Sequence, residues 1–153
     1  MNTQTSLVRV PMVFPVMQVY ESVKTHDMRI LKKYAVEKDI YTAEEIDAVE
    51  DEYKKYIAMC IAHPRLNFPI SKKVDDLWHT HLLFTQDYHK MCQEQAGHFI
   101  HHRPKILDDE AGLKTAFSDT LEYYTRAFGT PDKMYWDEVV CKSANCASWD
   151  VQM

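Results

Sequence analysis

The stretch that decides the fold is Val74–Pro104, VDDLWHTHLLFTQDYHKMCQEQAGHFIHHRP, which carries six of the eight histidines of the 153-residue chain. Read at helical spacing, it places six residues on one face: Val74, Trp78, His81, Thr85, Tyr88 and Cys92. A stripe of this kind packs against a core, but its hydroxyl and imidazole groups need hydrogen-bond partners when they are buried. The pattern therefore predicts a helix with a polar seam on its buried face.

The flanking sequence predicts further helices. Apolar residues at helical spacing indicate one helix or two short ones over 16–38, with a break near His26, which is expected at the surface. A second helix is predicted over 43–62 behind the Thr42–Glu45 capping box, a single central helix over 72–95 capped by Ser71, and a last helix over 109–128. The fold class is all-α, an antiparallel bundle of four to five helices.

Length and composition predict a single domain over 1–153. Within it, residues 1–15 are expected to form an extended lead-in because Pro11 and Pro15 disfavour helix. Residues 16–129 form the helical core, and residues 130–153 form a tail with no clear period.

The net charge of −5 and the lack of a basic run argue against a nucleic-acid partner. The sequence has no run of roughly 20 apolar residues, so no membrane span is predicted. The N-terminus lacks the basic region and cleavage site of a signal peptide. The four cysteines are sparse, which favours a reducing cytoplasm, and the role of Cys141 and Cys146 stays open.

The histidines of the central stretch are suited to binding a transition metal. On a regular helix His79 and His81 point about 200° apart, and His81 and Cys92 lie about 16 Å apart along the axis. Neither pair can share an ion. Any metal site must therefore be assembled from several elements.

Two such assemblies are open. The first and favoured one combines His81 with His101 and His102 of the following loop, with Glu52 of the facing helix or His79 in support. The second uses the other end of the helix, with His89 or Cys92 and a loop histidine. The simpler alternative is that His81 is a core histidine bonded to a carboxylate or a carbonyl. In the same way, Asp75 and His79 are expected to form a charge pair on the helix surface.

The same residues carry a family resemblance. The elements Val74-Asp75-x-x-Trp78-His79-x-His81, then Thr85, Tyr88 and Cys92, then Gly97 to Pro104 with His101-His102, resemble the core of glycine-rich domain-containing protein-like proteins. The resemblance covers about residues 43–130 and implies a helical domain with a shared polar site. It brings no established reaction, and the glycine-rich tail of many members is absent here.

These observations predict a small helical protein that binds zinc, iron or copper. It is a metal-dependent enzyme if the ion keeps open coordination positions. The competing hypothesis is a non-catalytic protein-interaction module in which the seam of histidine, tyrosine and threonine is structural. The expected partner is a small molecule or a protein.

Overall fold

A computed structural model describes residues 14–102 and 109–137 of the chain. The described part contains seven helices and no strand: α1 Phe14–Val23, α2 Arg29–Glu37, α3 Ile46–Ala62, α4 Lys72–Leu83, α5 Thr85–Gln95, α6 Glu110–Phe128 and α7 Lys133–Trp136. The all-α prediction is confirmed. Most of the predicted lead-in, the end of the tail, and both Cys141 and Cys146 lie outside the described residues.

The first helices follow the sequence signals closely. The break expected near His26 separates α1 from α2, although α1 begins at Phe14, inside the predicted lead-in. The capping box forms, with the Thr42 amide donating to the Glu45 carboxylate at 2.8 Å and the Glu45 amide donating to Oγ1 of Thr42 at 3.2 Å. The regular part of α3 then begins at Ile46.

The predicted single helix over 72–95 is wrong, because the chain breaks at Phe84 into α4 and α5. Phe84 has φ −92° and ψ 69°, which is not helical, and its amide closes a tight turn onto the carbonyl of His81. No proline or glycine marks the break. Tertiary contacts hold it instead, because the Phe84 ring packs edge-on against Tyr34 and Asp87 turns back onto His81.

Helix α3 lies at the centre of the described bundle and packs against α1, α2, α4 and α6. Its buried face carries Val49, Tyr53, Tyr56, Ile57 and Met59. Helix α4 packs against this face and also contacts α2, α5 and α7. No described helix is long and apolar enough to cross a membrane. The packing therefore buries the histidines of α4 among several elements.

Candidate functional site

Helix α4 carries two fully buried histidines that enter two separate groups of side chains. His79 and His81 are each 0% exposed. They are two residues apart, which turns their side chains about 200° from each other on a helix. The sequence-based expectation that they cannot share one ion agrees with this arrangement. Each histidine meets its own carboxylate and a second histidine.

The first group, here called the Asp75 cluster, consists of Asp75, His79 and His102. Asp75 and His79 lie one turn apart on α4, with Nε2 of His79 3.2 Å from Oδ2 of Asp75. His102 comes from the segment after α5, and its Nε2 lies 2.8 Å from Oδ1 of Asp75 and 2.9 Å from Nε2 of His79. The pair expected on the helix surface is thus buried. Metal-binding atoms of three residues therefore come together.

Hydrogen bonds to the side of α5 that faces α4 hold the segment that carries His102. The Tyr88 hydroxyl donates to the carbonyl of Ile100 at 2.5 Å, and the Ile100 amide donates to Sγ of Cys92 at 3.4 Å. The indole N–H of Trp78 donates to the Tyr88 hydroxyl at 3.0 Å, and the Trp78 ring covers His102 at 4.4 Å between centroids. These three supporting side chains therefore place the imidazole of His102 beside α4.

The second group, here called the Asp87 cluster, consists of His26, His81 and Asp87. Oδ2 of Asp87 lies 2.8 Å from Nε2 of His81 and 2.9 Å from Nε2 of His26. Nδ1 of His81 lies 2.7 Å from the hydroxyl of the buried Tyr53. The turn between α1 and α2 is held by Lys54, whose ammonium donates to the His26 carbonyl at 2.7 Å. The cluster joins three parts of the bundle, and α3 supports it through Tyr53 and Lys54.

The charge states of the Asp87 cluster follow from its burial and its hydrogen bonds. Burial lowers the pKa of His81 from 6.5 to about 4, so its imidazole is neutral near pH 7. Burial acts to raise the pKa of Asp87, but the hydrogen bonds from His26 and His81 outweigh it and leave that pKa lowered. A neutral His81 with its proton on Nε2 donates to the carboxylate and accepts from Tyr53. This assignment satisfies both nitrogens of His81.

The two clusters differ in exposure. The Asp75 side chain is 3% exposed, whereas the Asp87 side chain is 39% exposed. His102, His101 and Trp78 belong to the wall of a cleft of about 390 Å³. His26 and Asp87 belong to the wall of a second cleft of about 760 Å³. The Asp75 cluster is buried with His102 on the wall of its cleft, whereas the carboxylate of the Asp87 cluster faces solvent.

The structure divides the predicted metal ligands between these clusters and leaves two of them in neither. His79 and His102 meet in one cluster, and His81 belongs to the other. His101 is exposed and packs against Phe99. Glu52 accepts hydrogen bonds from the Tyr124 hydroxyl at 2.5 Å and the Trp136 indole at 2.8 Å. The favoured grouping of His81 with the His101-His102 loop is therefore not the observed one.

Three further sequence expectations have clear outcomes. Thr85, expected on the buried stripe, is exposed because it begins α5 after the break. His26, expected at the surface, is 8% exposed and belongs to a cluster. His89, a ligand of the second predicted assembly, is exposed and belongs to neither cluster. No local sequence pattern marked His26 and Asp87 as site residues, because His81 lies 55 residues from His26 and 6 residues from Asp87. The break at Phe84 is what brings the three residues together.

Glu52→Ala should lower the free energy of unfolding by about 2–4 kcal/mol, because it leaves two buried donors without an acceptor. Denaturant unfolding of this variant beside Glu122→Ala, whose carboxylate pairs with Arg126 at the surface, measures the effect. Metal content should be unchanged in Glu52→Ala. If the Glu52→Ala protein folds but loses bound metal, Glu52 is a metal ligand after all.

These features define a class of protein, an all-α chain whose described part holds two distinct clusters of two histidines and one carboxylate. The chain belongs to the UCP032817-like family, whose family model matches residues 16–123. This match contains all six residues of the two clusters. No curated protein and no solved structure matches the chain significantly.

Proposed function

We propose that this protein binds a transition metal ion through Asp75, His79 and His102. The observation that carries the proposal is the convergence of two imidazoles on one carboxylate. Nε2 of His102 lies 2.8 Å from Oδ1 of Asp75, Nε2 of His79 lies 3.2 Å from Oδ2, and the two nitrogens are 2.9 Å apart. Ligand atoms bound to one tetrahedral ion at about 2.0–2.1 Å lie about 3.3 Å apart. An ion would therefore fit after movements of a few tenths of an ångström.

Protons alone satisfy these three contacts poorly while Asp75 is ionised. If both Nε2 atoms carry protons, each can donate to its own oxygen of Asp75, but the two like-charged N–H groups are then crowded, with 2.9 Å between the nitrogens. If only His102 carries the proton, the lone pair of His79 faces a carboxylate oxygen across 3.2 Å. A cation among the three atoms attracts each of them. The cluster favours a bound ion for this reason.

The ligand types restrict the ion. Two imidazoles and one carboxylate suit zinc, iron or copper, and sites of this composition occur in zinc hydrolases and in non-haem iron oxygenases. Three protein ligands leave a position for water or a substrate atom. The cleft beside His102 and Trp78 extends the proposal to a metal-dependent enzyme, hydrolytic or oxidative, that acts on a small molecule.

A second function, a non-catalytic interaction module with a structural seam, is favoured by one observation. The hydrogen bonds of His81 to Tyr53 and Asp87 are complete without a metal. This hypothesis predicts protein partners and no stoichiometric ion. We also propose that the protein is related to glycine-rich domain-containing protein-like proteins and acts in the cytoplasm.

Elemental analysis tests the metal proposal directly. Protein purified anaerobically without chelators should hold at least one equivalent of a transition metal. His79→Ala should lose one equivalent, because it removes a ligand of the Asp75 cluster. His89→Ala, which removes an exposed histidine of α5, is the matched control and should retain the metal. Metal-free wild-type protein, or a His79→Ala variant with unchanged metal content, would overturn the proposal in favour of the interaction module.

A further inference from the structure

The geometry points to a second metal site, formed by His26, His81 and Asp87, for a divalent transition metal ion with coordination positions open to solvent. The Nε2 atoms of both histidines lie within 2.9 Å of the same carboxylate oxygen. All three candidate ligand atoms lie within 4.8 Å of one another. This set shares no residue with the Asp75 cluster, so the inference does not depend on the function proposed above.

The break at Phe84 is what builds this site. In an uninterrupted helix, Asp87 would lie about 9 Å further along the axis than His81 and about 120° round it. The break turns the chain so that the two side chains meet at 2.8 Å. The break costs helical hydrogen bonds, and no proline or glycine requires it. The contact of Asp87 with the two histidines is among the interactions that stabilise it.

Buried side chains of α3 fix the position of each histidine. The hydroxyl of Tyr53, which is fully buried, fixes Nδ1 of His81 and leaves Nε2 directed at Asp87. An imidazole that binds a metal through one nitrogen commonly donates its other N–H to a neighbouring acceptor, and the Tyr53 oxygen is placed to accept it. Lys54, 5% exposed, holds the backbone of His26 through its carbonyl. The ligands are thus positioned before any ion arrives.

Exposure distinguishes this site from the Asp75 cluster. A site with three protein ligands keeps a further coordination position for water or a substrate. Asp87 is 39% exposed, and it lines the 760 Å³ cleft together with His26. Binding through Nε2 requires that each neutral imidazole carries its proton on Nδ1, and in His81 that proton can be donated to the Tyr53 hydroxyl oxygen. The cleft side is then left to water or an anionic ligand.

Cobalt(II) titration of metal-free protein tests the inference. The variant His79→Ala, which lacks the Asp75 site, should still bind one equivalent of cobalt. The double variant His79→Ala/His26→Ala should bind none, and the matched double variant His79→Ala/His89→Ala should bind one. Azide should shift the visible absorption of cobalt in His79→Ala, because the bound ion has an open position.

The outcomes separate the two sites. If His26→Ala alone retains one equivalent and His79→Ala retains one, both proposals stand. If His26→Ala binds none while His79→Ala binds one, the Asp75 site fails and this one survives. Equal binding by the two double variants, or an azide-insensitive spectrum, would overturn the inference. Circular dichroism checks folding, and His79→Ala/Asp87→Asn, which keeps the side-chain shape, should also bind none.

Discussion

Acidification of the metal-free protein from pH 7 to pH 4 should lower the free energy of unfolding by about 3 kcal/mol through His81 alone. The pKa of His81 is lowered from 6.5 to about 4 by burial, so the unfolded chain binds the proton more readily than the folded one. One pKa unit corresponds to about 1.4 kcal/mol. Stability from this group is complete above pH 6.5 and is lost as the pH falls toward 4.

Denaturant unfolding at several pH values between 4 and 7 measures this effect. His81→Gln keeps a donor and an acceptor at the position but does not titrate. Between pH 7 and pH 4, its free energy of unfolding should therefore fall by about 3 kcal/mol less than that of the wild-type protein. The comparison separates the contribution of His81 from that of His63, because burial also lowers the pKa of His63. Parallel pH profiles for the two proteins would show that His81 is protonated as easily in the folded state as in the unfolded one.

Replacing Lys54 with methionine should lower the free energy of unfolding by about 3 kcal/mol. The Lys54 ammonium is buried and donates to the carbonyls of Lys24 and His26 and to the Glu50 carboxylate at 2.7–3.0 Å. Methionine keeps the apolar stem but leaves these acceptors without their donor, and breaking a buried charge pair is strongly destabilising. Glu50 keeps its contact with Lys32, which limits the loss.

Thermal and denaturant unfolding of Lys54→Met check this expectation. Lys33→Met is the control, since its ammonium forms an exposed pair with Glu37 one turn away and should contribute almost nothing. The Lys54 variant should also expose His26, because its turn loses the anchor on α3. Equal stability of the two variants would mean that the buried ammonium does not hold the turn between α1 and α2.

The sequence predicted what local chemistry determines. The all-helical class, the capping box at Thr42, the Ser71 cap and the end of α3 before Pro64 all follow from residues close to one another. The break at Phe84 could not be predicted in this way. It depends on Tyr34, His26 and His81, which reach it only after the helices have packed.

The candidate site was predicted in part for the same reason. His79, His81 and His102 were singled out because they sit in one histidine-rich stretch. Which histidine meets which depends on the path of the chain after Gly97. The backbone of Ile100 forms hydrogen bonds with Tyr88 and Cys92 of α5. These bonds place His102, two residues later, against His79. The sequence alone offered His81 and Cys92 as alternatives for the loop.

We predict that one transition metal ion lies among Asp75, His79 and His102. Anomalous diffraction from crystals of metal-loaded protein, recorded at the absorption edge of the bound metal, tests it most directly. We predict a peak about 2.0–2.2 Å from Nε2 of both histidines and from a carboxylate oxygen of Asp75. Well-ordered density for these three side chains with no anomalous peak between them, in protein that carries stoichiometric metal, would contradict it.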